Sequence, residues 1–434
     1  MYFKPSYRAY NGVANIMVRS LAEELGLSLT KKYEIILASF LAVSKKVNGK
    51  AFDWWTGNDN ENLKFWSLFP NVSNQSVREV YKLLKQRNYI GVSADIPNHL
   101  IESMGLGKPN WIKAKNLPQH FLKEATFIEA NLPYVLVNKS ETYTDQIARR
   151  DRRRTAPKLS IQQVKQMFGK DYTLAYRALK EMNAYWAEHP LYNPIDDEYY
   201  SSARRIFHNG SIKAGGRYYG GWTDISSDHR FAFTLDGHPV VHVDVNAMIL
   251  SLVSSLTGKP INMIGVYEDL YRAVVFQIPN ISNARGKVKQ VIMELTGSGN
   301  PYKAEPSEHS KEIIDDVEEF LHIRDLCLDA YPALKCLDKN KLNFVNDLSY
   351  HEAQILTQTL LRLKDIGIVA YPLHDRVIVR LGDEFETVET IKTVFKDYVS
   401  SYQEHNNLPE LDLDVAVKVE FDPSNKIRVQ GTLS

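Results

Sequence analysis

An α+β fold is what this 434-residue sequence predicts, and three stretches carry the prediction. "VVHVDVNAMIL" (Val240–Leu250) alternates like a strand up to Asp244 and then turns helical. "SYHEAQILTQTLLRLKDIGIVAYPLHDRVIV" (Ser349–Val379) reads as a helix, a stop at Gly367, a strand, a His-Asp pair and a second strand. "LDLDVAVKVEF" (Leu411–Phe421) alternates as a final strand. The expected architecture is therefore a sheet with an antiparallel hairpin carrying Asp375 at its turn. A charged pair between two apolar runs is costly unless something binds it, which makes His374-Asp375 a candidate site.

Composition narrows the classes. The length allows two or three domains of roughly 100–200 residues each. Hydrophobic residues at 44% and charged residues at 24% are ordinary for a soluble globular chain. Two cysteines, Cys327 and Cys336, are too few for a disulfide framework, and no close His pair suggests zinc. With no signal peptide and no apolar run of about 18 residues, the expected setting is a reducing cytoplasm without membrane contact. The net charge of +1 averages a basic run near residue 150 with an acidic one, "IIDDVEEF" (Ile313–Phe320).

Residues 1–148 read as one mostly helical unit. Within it, "NVSNQSVREVYKLLKQRNYIGVSA" (Asn71–Ala94) offers a cap at Ser73 or Asn74, then an apolar stripe of Val77, Val80, Leu83 and Leu84. Asn88 ends the helix and "YIGV" begins a strand. This is the order of a winged helix-turn-helix, which would bind nucleic acid, and equally of an amphipathic helix followed by a strand. The run "RRDRRRTAPK" (Arg149–Lys158) follows as a basic linker, able also to lie along phosphate backbone. Residues 159–434 make the last unit, opening with a helix at Ser160–Trp186 and then a glycine-rich stretch.

Asp244 and Asp375 pair chemically before they pair structurally. Carboxylates remote in sequence, each at a strand end, are what a divalent-metal site for phosphoryl transfer requires. Mg²⁺ takes hard oxygen ligands, usually one or two carboxylates plus substrate phosphates. Strand-end aspartates are also common in any large protein. Between the two lies "RGKVKQVIM", in which Arg285, Lys289 and Met293 stand at i, i+4 and i+8 on one helix face. Two cations on one face either share an anion, such as a triphosphate, or are simply solvated. Met293, one turn on, can pack against a base. "GSIKAGGRYYGG" (Gly210–Gly221) adds glycines that let backbone approach a ligand, with Arg217 beside them.

In this order the elements from about 204 to 380 resemble the palm and fingers of the single-subunit RNA polymerases of bacteriophages and mitochondria, and more distantly family A DNA polymerases. "GGRYY" is similar to the Gly-Arg-x-Tyr element upstream of the palm, with Arg217 as its arginine. "VDVNAMILSL" resembles motif A, and "RGKVKQVIMELTG" resembles motif B, Arg-x3-Lys-x3-Met. "NFVNDLSYHEAQIL" followed by "PLHD" resembles the helix and strand of motif C. The resemblance implies a palm-like antiparallel sheet with reduced helical fingers. It implies Mg²⁺ or Mn²⁺ at Asp244, the Val245 carbonyl and Asp375, and a triphosphate on Arg285 and Lys289. His374 and Arg217 would lie near nucleic acid, and Lys289 could give a proton to the leaving pyrophosphate.

The implied activity is that of a minimal DNA-dependent RNA polymerase or primase, with a DNA template, nucleoside triphosphates and in some schemes a partner chain, in a bacterial or phage-infected cell. Several positions depart from the pattern. Gly297-Ser298 stands where both groups carry Tyr-Gly. Ile249 stands where DNA polymerases have Glu and the RNA polymerases Gly. Arg376 follows the His-Asp where the DNA polymerases have Glu. The remaining readings are a family A type DNA polymerase from a mobile element or phage, a non-catalytic replication initiator with a degenerate palm, and a nuclease using the same aspartates.

Overall fold

The computed structural model describes residues 3, 6–54, 69, 71–92, 110–129, 134–141, 156–261, 269–314, 316–337, 344–411 and 415–422. The basic run at 149–158 lies outside the described residues up to 155. Lys158 forms an isolated antiparallel bridge with Asn138.

The chain begins with β1 (Tyr7–Ala9), α1 (Gly12–Glu24), α2 (Lys31–Val47), β2 (Phe52–Trp54), α3 (Asn74–Gln86), β3 (Ile90–Val92) and β4 (Asn110–Ala114). The Ser73 hydroxyl caps α3 by accepting from the Ser76 amide. Val77, Val80, Tyr81 and Leu84 are buried, in one core with Phe52 and Trp54, while Leu83 is only partly covered. Asn88, at φ +60°, turns the chain into β3. The three strands pair antiparallel in the order β2-β4-β3.

The strands β5 (Phe127–Glu129), β6 (Val135–Val137), β7 (Leu191–Asn193), β8 (Glu198–Tyr200), β9 (Ala203–Phe207), β10 (Gly215–Gly220), β11 (Thr234–Leu235), β12 (His238–Val245), β13 (Tyr371–Leu373), β14 (Arg376–Arg380) and β15 (Val417–Glu420) follow. The long helices among them are α4 (Ile161–Glu188), α5 (Met248–Thr257), α6 (Ala284–Ser298), α7 (Val317–Ala330), α8 (Phe344–Asp365) and α9 (Glu384–His405). One large sheet runs β1-β5-β8-β7-β11-β12-β14-β13, with β15 also on β12, and β10-β9-β6 make a smaller one. Among the described residues only β5–β8 and β6–β9 pair parallel. This is the expected α+β class. Strands β1, β5 and β6 precede residue 148 yet pair within or into sheets completed after residue 190, so hydrogen bonding crosses the expected boundary.

The centre of the large sheet is where register matters. Val241, Val243 and Val245 of β12 and Val377 and Val379 of β14 are buried in the core that Ile391, Val394 and Phe395 of α9 complete. Alternate residues face the other way. Asp244 stands opposite Arg376 on one side and Lys418 on the other, and His242 opposite Glu420. Residues directly across antiparallel strands share a face. One face of the sheet is therefore aliphatic, and the other carries Asp244, Arg376, Lys418 and Glu420.

The hairpin β13–β14 is braced by aromatics. The Tyr371 hydroxyl donates to the His189 carbonyl at 2.8 Å and accepts from the Leu191 amide at 3.1 Å. The Trp186 and Trp222 indoles donate to the carbonyls of Ala370 and Pro372, at 2.8 and 2.7 Å. These satisfy carbonyls in and just before β13, whose outer edge pairs with no other strand among the described residues.

His351 on α8 ties this helix to α9. Its Nδ1 lies 2.7 Å from the Tyr398 hydroxyl, and burial pushes its pKa down to about 4. The folded state therefore resists protonation that the unfolded chain accepts near 6.5. The contribution to stability is full above 6.5 and is lost as pH falls toward 4, by up to about 2–3 kcal/mol. In urea titrations, the stability advantage of wild type over His351→Gln should shrink by about that amount between pH 6.5 and 4; a pH-independent difference would refute a buried neutral imidazole.

Candidate active site

Asp244 and Asp375 come together through backbone. The Val245 amide donates to the Asp375 carbonyl at 3.4 Å, fastening the hairpin turn beside the end of β12. The turn is His374-Asp375, and His374 takes φ +59°, a region that disfavours a side chain by about 1–3 kcal/mol. Ala247, just past the end of β12, is also left-handed at φ +53°. Such backbone persists only where the surroundings fix it, and here the aromatic brace and the β12 pairing do so.

The two carboxylates differ in surroundings. Asp244 has one oxygen, Oδ1, buried without a partner, while Oδ2 meets Arg376 Nη2 at 3.3 Å. Burial first, and then the Asp375 charge, push its pKa up to about 6 despite the opposing pull of Arg376 and Lys289. The Asp375 carboxylate accepts no hydrogen bond or ion pair among the described residues. An orphaned acid oxygen beside a second unpaired acid is the donor set that a divalent cation fits. Among the described residues no cluster of three or more His, Cys, Asp or Glu adds further metal-type ligands. Val245 is buried at the same strand end, adjacent to Asp244.

Helix α6 stands over this pair. Its inner side is anchored by the buried Lys287, which donates to both Glu319 oxygens of α7 at 2.8 and 2.9 Å. Glu294 gathers Lys303, Ser307 and Ser310, and against the desolvation that opposes ionisation these donors hold its carboxyl at about 2. The outer side is left to Arg285, Lys289 and Met293, all exposed, Met293 to 46%. Arg285 lies over the Tyr271 ring, donates to Asp269 at 2.6 Å and reaches Asn246 Oδ1 at 3.5 Å, next to the end of β12. Lys289 makes no ion pair among the described residues, and its charge is felt at Asp244.

Arg217 is less available than the sequence suggests. Its Nε and Nη2 donate to both oxygens of the buried Glu352 at 2.7 and 2.8 Å, a bidentate pair that fixes its orientation. Its charge still reaches Asp375 and, after partial desolvation, helps to hold the His374 imidazole below its ordinary pKa. The glycines around Arg217 serve the protein itself. A Cβ on Gly216 would meet the Phe207 ring at 2.5 Å, one on Gly220 the Trp222 ring at 2.1 Å, and one on Gly221 the Tyr200 ring at 2.6 Å. The expectation that these glycines admit a ligand is thus corrected: aromatic side chains fill the space. Arg205 Nε donates to the Gly216 carbonyl at 2.7 Å and pins the strand irregularity that aims Arg217.

Sequence reading missed Glu352, Asp269 and Glu420. For Glu420 a signal existed: the alternation of "VKVEF" puts Lys418 and Glu420 on one strand face. Nothing in the sequence says that β15 lies beside β12.

No family model matches the sequence, and no curated protein matches it at a significant level. Among solved structures, the POL domain of Pol1 from M. smegmatis, in complex with DNA primer-template and dNTP, matches with a TM-score of 0.35 and 12% identity. The match covers 96% of this chain and 79% of that one. No helix among the described residues is long and apolar enough to cross a membrane.

A carboxyl raised from 3.8 to about 6 binds its proton more tightly in the folded state. Its ionisation therefore removes stability as pH rises from about 4 to 6, on the order of 1–3 kcal/mol in total, and the loss persists above. Asp244→Asn should accordingly be more stable than wild type by about 1–2 kcal/mol at pH 7.5 without divalent ions, with the gap closing below pH 4. Equal urea midpoints for the two proteins at pH 7.5 would contradict the desolvated carboxylate.

Proposed function

We propose that this chain is a template-directed nucleotidyltransferase working by metal-assisted phosphoryl transfer, in the form of a minimal single-subunit RNA polymerase or primase. What supports the reading is one juxtaposition: Asp244 and Asp375, remote in sequence, meet at a strand end beneath the outward Arg285–Lys289–Met293 face of α6. A nuclease would have no use for that helix face, and a degenerate palm would have no reason to keep both acids ionisable in place.

Asp244, Asp375 and the Val245 carbonyl would hold Mg²⁺ or Mn²⁺, which when bound supplies activation of a 3′-hydroxyl and charge for the leaving pyrophosphate. The chain's own side chains do the rest. Lys289 and Arg285 meet the triphosphate. For Arg285 this means leaving Asp269, a half-exposed pair whose own stabilisation is about 1 kcal/mol or less. Lys289 would pass a proton to the departing pyrophosphate. Met293 gives apolar surface to the incoming base, and His374 at the hairpin tip touches the growing end. Arg217, held by Glu352, contributes fixed positive charge beside Asp375 without moving. The template is DNA, and the N-terminal unit shares its binding: Lys82 and Lys85 of α3, Lys113 of β4 and Lys115 just past it are exposed, charges suited to a phosphate backbone.

Ribonucleotides are the favoured substrates. Met293 and the "GGRYY" element support that side, and Ile249, partly buried against the core, offers no polar group to a sugar. The test is incubation of the full chain with single-stranded DNA, Mg²⁺ or Mn²⁺ and labelled nucleotides, the NTP and dNTP sets kept apart. Wild type should extend with the NTP set, and Asp244→Asn and Asp375→Asn should fall to background while remaining folded. Undiminished synthesis by both variants would end the proposal, and extension with dNTPs alone would reassign it to a DNA polymerase.

A further inference from the structure

Arg376 occupies a position that a metal site would not be expected to tolerate. It is the residue after Asp375, it stands opposite Asp244 across β12–β14, and its Nη2 lies 3.3 Å from Asp244 Oδ2. A guanidinium there takes a lone pair that a dication needs and repels any dication that arrives. Its other arm, Nη1, reaches Glu420 Oε2 on β15 at the shorter distance of 3.0 Å. Glu420 is thus shared between Arg376 and Lys418, whose Nζ lies 3.0 Å from Oε1. All of these groups occupy one sheet face, with Asp244 between β14 and β15.

We infer that Arg376 is a resident counter-cation of Asp244, and that Glu420 is the acceptor that takes it over when a divalent cation binds. Without metal, Arg376 bridges two acids and keeps Asp244 from standing as an uncompensated charge. When the ion arrives, the bond to Asp244 is given up and the one to Glu420 is kept, so the guanidinium needs no new partner. Glu420 acts as a positioning residue through Arg376 and does not touch the ion. The inference rests on the proposed metal role of Asp244 and Asp375.

The experiment is Mn²⁺ binding to the full chain, followed by electron paramagnetic resonance without nucleotide or DNA. Glu420→Gln leaves Arg376 only Asp244 to hold, and should weaken Mn²⁺ binding by about tenfold. In an Arg376→Gln background the same Glu420 change should cost less than about twofold, since no guanidinium remains to be displaced. Arg376→Lys, which keeps the charge, should keep the Glu420 dependence, and Arg376→Met serves as the cation-free background if Arg376→Gln fails to fold. An equal loss from Glu420→Gln with and without the cation at 376 would overturn the inference, because Glu420 would then act on the ion directly. Absence of Mn²⁺ binding to wild type, or binding that survives both Asp244→Asn and Asp375→Asn, would instead defeat the underlying metal assignment.

Discussion

The pairing of β12 with β14 is the constraint on which the remainder of the site depends. It sets Asp244 opposite Arg376 and fastens the Val245 amide to the Asp375 carbonyl. A slip of β12 by one residue would turn Val241, Val243 and Val245 away from the aliphatic layer and send Asp244 into it. Burial of Val241, Val243, Val377 and Val379 therefore fixes the position of the acids more firmly than any contact the acids make themselves. The polar face inherits its geometry from the apolar one.

That inherited geometry is electrostatically costly, and the surroundings answer it piecewise. Burial of Asp244 raises its proton affinity, and the neighbouring Asp375 charge adds to this, as like charges do at short range. Arg376 and Lys289 relieve it from two directions, one on the sheet and one on the helix above. Two residues with side chains, His374 and Ala247, sit in left-handed backbone at the same spot. A fold does not place strain, an unpaired buried oxygen and crowded acids together for stability. Their concentration at the strand ends beneath α6 is what separates this corner from an ordinary sheet edge.

How much of this was legible in the sequence depends on the range of the interaction. Alternation and helix periodicity are local, so β12, α5, α6, α8 and the β13–β14 hairpin appear where the residues indicated, and Gly367 ends its helix at φ +80° as expected. The one-face spacing of Arg285, Lys289 and Met293 follows from helical geometry alone and is met. What the sequence could not give is partnership between distant elements. Glu352 beneath Arg217, Asp269 beneath Arg285 and Glu420 beside Arg376 all depend on which element packs against which, and no local pattern encodes that. The glycines of "GSIKAGGRYYGG" show the same limit. A glycine signals close approach, but whether a ligand or the protein's own Phe207 and Trp222 approaches is decided by tertiary packing.

The residue after the His-Asp pair bears on the same balance of charge. A carboxylate directly after the His-Asp would face Asp244 across the strand pair and add a third like charge at the most crowded point. Arg376 there reverses the sign, and a carboxylate stands on the other flank of β12, as Glu420 on β15. The face thus carries two acids, Asp244 and Glu420, and the guanidinium of Arg376 reaches both. At α6 the logic is similar. Gly297 and Ser298 end the helix, and Glu294 with its three donors clamps that end to the following loop. The helix is thereby fixed from behind and by its end, which leaves its outer face, with Lys289 free of any ion pair among the described residues, turned toward the acids below.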